Sequence, residues 1–84
     1  METTIKTTEE IRLTSNNASE EYRDLLNYFA EDSADTADVT GNPIVVNIAN
    51  EIEFLKNKPV SCEYELYCNC NAAEIWYNQI MEQF

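Results

Sequence analysis

Two stretches of this chain carry apolar residues at the spacing of a helix face, and that period constrains the fold more than any other feature. Tyr22, Leu25, Leu26 and Phe29 fall at i, i+3, i+4 and i+7, which places them on one side of a helix. Val45, Ile48, Ile52 and Leu55 alternate steps of three and four, the seam expected where one helix packs on another. The punctuation agrees with both. Asn17 and Ser19 are good N-caps, Glu20 stands three residues after Asn17 as in a capping box, and Glu20 and Glu21 suit the positive end of a helix. Gly41-Asn42-Pro43 ends one segment and starts the next, because Asn42 can cap and Pro43 fits the first helical position. That second helix is predicted from about Pro43 to Asn57, with Lys56 and Lys58 at its negative end and Pro59 blocking continuation.

The remaining segments read less regularly. Residues 1–10, METTIKTTEE, are polar and are expected to form a flexible N-terminus. The alternation Ile11-Arg12-Leu13 predicts a short edge strand, whose unpaired side would be open to docking. Residues 31–38, EDSADTAD, have no bulky apolar side chain and predict a solvated loop. Over residues 61–71, Cys62, Tyr64, Leu66 and Cys68 alternate with Glu63, Glu65 and Tyr67 as in a half-buried strand. Ser61 and the two glutamates also read as a helix start, and helix is the preferred reading. Beyond them Ala73, Trp76, Ile80 and Phe84 hold a helical stripe with Met81 on its flank. The expected fold is therefore all-α, a small three-helix domain over residues 11–84 with a short N-terminal edge strand. A chain of this length buries only roughly 60–65% of the surface its unfolded form exposes, so its stability margin is thin and a homodimer would help.

Charge narrows the function. Sixteen Asp and Glu against five Lys and Arg give a net charge of −11, with no histidine. A phosphate backbone or an anionic membrane is held by basic surface, so direct nucleic-acid or membrane-surface binding is not expected, and a protein partner with a basic surface is the natural complement. No apolar run approaches about 18 residues, so no membrane span is predicted. Three cysteines cannot all pair within one chain and no signal-peptide pattern opens it, which predicts a reducing, cytoplasmic setting.

The same residues argue against an enzyme. Without histidine the commonest general base and the usual activator of Ser or Cys nucleophiles are missing, so no catalytic residue is assigned. Cys62, Cys68 and Cys70 form a C-x5-C-x-C cluster that lacks both the paired spacing and the fourth ligand of a structural zinc site. They read better as small, partly buried apolar residues. EDSADTAD lacks the glycine placement and terminal glutamate of a calcium loop. No metal or other cofactor is expected. Glu31, Asp32, Asp35 and Asp38 are either a solubilising loop or an electrostatic contact for a basic partner. Tyr64, Tyr67, Trp76 and Tyr77 are either core or an interface cluster, and on one continuous helix they cannot all face the same neighbour.

Taken in order, the pieces Ile11-x-Leu13, Leu25-Leu26-Asn27-Tyr28, Glu31-Asp32-Ser33, Pro43-Ile44, Leu55-Lys56-Asn57 and Glu63-Tyr64 resemble the helical tail of the recombination-promoting nuclease family, also described as PD-(D/E)xK transposase-like proteins. The resemblance spans residues 11–66 and its elements are short and degenerate. The family's nuclease core uses acidic residues and a D/E-x-K lysine to hold a metal, and no Asp-x-Lys or Glu-x-Lys occurs in this sequence, so no catalytic residue carries over. What the resemblance implies is a nuclease-less tail that binds and restrains the long nuclease form, as an antitoxin would. On that reading Leu25, Leu26, Phe29, Ile48, Ile52 and Leu55 hold the fold and are candidates for the interface, while the acidic loop repels or replaces DNA at the partner's surface. The alternative expectation is a phage-encoded anti-CRISPR or anti-restriction inhibitor whose carboxylates mimic nucleic acid in a basic groove, with salt-sensitive binding. A third is an oligomerisation or scaffold module.

Overall fold

The computed structural model describes residues 6–83, which form four helices and, among these described residues, no strand. The all-α expectation holds, with one helix more than the three predicted. The helices are α1 (Thr8–Thr14), α2 (Ala18–Thr40), α3 (Pro43–Asn57) and α4 (Glu63–Met81).

The first helix replaces the expected edge strand. Thr7 is its N-cap, and the Thr7 hydroxyl accepts a hydrogen bond from the Glu10 N–H at 3.2 Å, with Glu9 and Glu10 in the positive first turn. Ile11 is buried while Arg12 and Leu13 are exposed, so a single inward residue, not a two-residue alternation, decides the segment. Of the N-terminal residues expected to be flexible, 1–5 lie outside the described residues, whereas Thr8, Glu9 and Glu10 are the first turn of α1. Thr8 is buried. Its N–H donates to Glu74 Oε1 at 2.7 Å and its hydroxyl to Cys70 Sγ at 3.3 Å, which ties the start of α1 to α4.

The second correction is larger: EDSADTAD is not a loop but the C-terminal half of α2. Its small residues explain this. Ala30, Ser33 and Ala37 extend the buried stripe of Tyr22, Leu25, Leu26 and Phe29, so the charged residues turn outward while small side chains meet the neighbouring helix. Gly41 ends the helix in the left-handed region at φ 62°, its N–H donating to the Ala37 carbonyl at 2.9 Å. At the other end Asn17 occupies the N-cap position but makes no side-chain cap, so the expected capping box is not formed; Ser15 Oγ instead accepts from the Asn17 N–H at 3.0 Å.

The third helix has the predicted bounds. Asn42 Oδ1 accepts from the Ile44 N–H at 2.9 Å, and Val45, Ile48, Ala49 and Ile52 are buried. The last helix settles residues 61–71 as helical from Glu63 onward, with Cys62 as N-cap. The Ser61 hydroxyl and N–H donate to Glu65 at 2.9 and 3.2 Å, and these bonds hold the Glu65 carboxyl below the usual carboxylate range.

The three long helices pack pairwise, and α1 lies across α2 and α4. Ile11, Tyr22, Leu26, Val45, Ile52, Leu66, Cys70 and Ile80 are among the residues of one shared core. Burying each large aliphatic side chain contributes about 1.5–3 kcal/mol. The body is flattened, 38 × 34 × 15 Å across its Cα atoms, so each long helix keeps an outward face. Among the described residues no helix is long and apolar enough to cross a membrane.

Candidate functional site

Since α2 is one helix, its carboxylates acquire fixed positions. At 100° per residue, Glu20, Asp24, Glu31, Asp35 and Asp38 fall within about 60° of arc, on the side opposite the buried stripe. All five are exposed. From Glu20 to Asp38 they run about 27 Å along the helix at 1.5 Å per residue. The result is an acidic ridge on a rigid rod.

Little nearby charge compensates it. No Lys or Arg occurs between Arg23 and Lys56. Three cations are already paired with carboxylates off the ridge: Lys6 with Glu21 at 3.6 Å, Arg12 with Glu9 at 3.5 Å and Lys56 with Glu53 at 3.6 Å. Helix electrostatics also oppose the arrangement. The last turn of α2 has no basic residue, yet Asp38 lies in it, where an anion costs about 0.3–1 kcal/mol. Threonine hydroxyls attend the backbone there: Thr36 Oγ1 donates to the Asp32 carbonyl at 2.9 Å and Thr40 Oγ1 to the Thr36 carbonyl at 2.8 Å.

Of the four carboxylates expected to act together, Glu31, Asp35 and Asp38 share the ridge and Asp32 does not. Asp32 turns toward α4 and accepts the Tyr77 hydroxyl on Oδ2 at 2.6 Å. Tyr77 has thus committed its proton, so the Tyr28 hydroxyl, 3.2 Å away, donates to Tyr77. Burial, then the contact with Asp32, raises the Tyr77 pKa far above that of a free phenol, which keeps the bridge protonated and intact at neutral pH. Glu20 and Asp24 complete the ridge and were not anticipated. Their spacing from Glu31 was the signal, but it has meaning only if residues 31–38 are helical.

The aromatic set divides as well. Tyr67, Trp76 and Tyr77 are half-buried against the core, and Tyr64 is 72% exposed. Tyr67 donates its hydroxyl to Glu9 at 2.9 Å, packs on Tyr22 at 5.7 Å between ring centroids and lies 5.4 Å from the Arg12 guanidinium, so it staples α1 to α2 and α4. Phe29 and Tyr77 stack at 4.9 Å.

The cysteines do not converge. Cys62 caps α4, Cys68 is exposed, and Cys70 is buried on another face of the same helix. Burial pushes the Cys70 thiol up to about 11, which leaves it protonated and unreactive near neutral pH. Among the described residues, no three His, Cys, Asp or Glu side chains are grouped as a metal site would need. Among the described residues, a shallow groove of about 480 Å³ opens at Asn47, Ile48, Asn50, Glu51 and Trp76, and Glu51 is the one ionisable side chain lining it.

Of the residues expected to hold the fold and named as candidates for the interface, Leu25, Leu26, Phe29, Ile48 and Ile52 are buried, and Leu55 is half-buried against the core. On the side of α2 opposite its buried stripe, Glu20, Asp24, Glu31, Asp35 and Asp38 are exposed. Compared with known protein families, curated proteins and solved structures, the chain matches none of them.

Proposed function

We propose that this protein is a non-catalytic inhibitor or regulator that presents the acidic ridge of α2 to the basic nucleic-acid-binding surface of a protein partner and occupies it in place of nucleic acid. The observation that carries this reading is the placement of Glu20, Asp24, Glu31, Asp35 and Asp38 along one exposed helix face, with no Lys or Arg beside them beyond Arg23 at the edge of its first turns. Like charges at i, i+3 and i+4 destabilise a helix by about 0.2–0.5 kcal/mol per pair, and anions near its C-terminus add to that. A local electrostatic rule broken repeatedly on one face points to a use for that face. Rigid, preorganised charge on a helix also associates rapidly with an oppositely charged groove.

An antitoxin-like restraint of a nuclease fits this mechanism when the ridge makes the contact, since Leu25, Leu26, Phe29, Ile48 and Ile52 are in the core. The test is affinity capture of the tagged protein from lysate of its host, with the retained proteins identified by mass spectrometry and challenged with salt or duplex DNA. Recovery of a nucleic-acid-binding protein that both salt and DNA displace is the expected result. Retention indifferent to both would overturn the proposal.

A further inference from the structure

We propose that the outward face of α4 is where two copies of this chain meet. Tyr64, Cys68, Asn71, Ile75 and Asn78 follow one another at steps of four, three, four and three, the 3.5-residue period of a helix-pairing seam, and all are exposed. Tyr64 is 72% and Ile75 54% exposed, large apolar area left uncovered on a small body.

Charge selects the occupant. Between Leu66 and Met81 the one Asp, Glu, Lys or Arg is Glu74, which is half-buried and engaged by the Thr8 N–H. From Cys68 to Asn78 the seam is therefore an uncharged strip, bounded by Glu63 and Glu65 beside Tyr64 and by Glu82 one turn beyond Asn78, on a chain of net charge −11. A basic partner gains most from the α2 ridge, whereas a second copy, equally negative, approaches with least repulsion along this strip. The seam also suits itself. Asn71 and Asn78 carry both donors and acceptors, so each carboxamide can pair with its own counterpart across a two-fold axis.

A contact along the 19 residues of α4 is about 28 Å long and buries on the order of 400 Å² per copy, at the low end of specific interfaces, so the dimer forms reversibly with concentration. Salt should act on it oppositely to the ridge contact. Screening the mutual repulsion of two acidic copies tightens the dimer, while screening weakens attraction to a basic surface.

The test is sedimentation equilibrium of the full chain at about 0.05 M and about 0.5 M salt, two conditions that change the screening length severalfold. The association constant should rise severalfold with salt. The Ile75→Glu and Asn71→Glu variants should each be monomeric with unchanged helicity by circular dichroism. Phe54→Glu, at the exposed outer face of α3, should dimerise as the parent does. A monomer at every concentration up to about 1 mM, where even a contact worth about 4 kcal/mol would show, overturns the proposal. So does association that survives both α4 substitutions or is lost with Phe54→Glu.

Discussion

Replacing Ser33 with alanine should stabilise the protein, although Ser33 lies in a tract whose composition is that of a solvated loop. Its side chain is 0% exposed and its Oγ has no hydrogen-bond partner. A buried hydroxyl stripped of water and left unpaired costs about 1–3 kcal/mol. Alanine removes that cost and is the better helix former by up to about 0.5 kcal/mol. The void left by one oxygen atom offsets a few tenths of this at about 24 cal/mol per Å³. The net gain is about 1–2 kcal/mol. In a domain of this size about 1 kcal/mol moves Tm by about 4–8 °C, so thermal unfolding followed by far-ultraviolet circular dichroism should shift upward by roughly 5–10 °C. An unchanged Tm would mean that Ser33 is exposed and residues 31–38 do not pack. A fall would mean that its hydroxyl bonds the carbonyl one turn back, as Thr36 does, and either result refutes the reasoning.

Other outcomes follow from the same packing. Ile52→Ala empties a site that is 0% exposed and should cost about 2–4 kcal/mol by chemical denaturation, a large fraction of the stability of a domain of this size. Cys62 and Cys68 should react quickly with a disulfide reagent in the native protein and Cys70 only after denaturant is added; equal rates for all three would contradict the packing. The raised Cys70 pKa favours the folded state while the thiol is protonated. That contribution, roughly 2 kcal/mol, is complete below about pH 9 and lost as pH rises through about 11, so Cys70→Ala should show a shallower alkaline loss of stability than the parent.

The sequence made α3 legible to the residue, because Asn42, Pro43, the apolar seam and Pro59 all act locally. The first half of α2 was equally plain. Its second half was not, since Ala30, Ser33 and Ala37 are inward residues too small to register as an apolar stripe, and what makes them a core face is the approach of α3. α1 was misread for a related reason: Ile11-Arg12-Leu13 fits either period, and the Thr7–Glu10 cap that decides it lies in a segment whose composition suggested disorder. The candidate site inherited these errors. Glu31, Asp35 and Asp38 were visible as charge, but a ridge that includes Glu20 and Asp24 and excludes Asp32 exists only once the helix is continuous. Tyr67, Trp76 and Tyr77 were visible as aromatics, and only the tertiary bonds to Glu9 and Asp32 show that Tyr67 and Tyr77 fasten helices together.

The most direct measurement compares the parent with a variant carrying Asp24→Asn, Glu31→Gln, Asp35→Asn and Asp38→Asn in two readouts, unfolding free energy and retention of the captured partner. Removing like-charge pairs and the anion at the negative end of α2 should stabilise the fold by about 1–2 kcal/mol. The account predicts a variant that is more stable and has lost its partner. A variant that is more stable and still retains the partner would contradict the central claim that the ridge makes the contact.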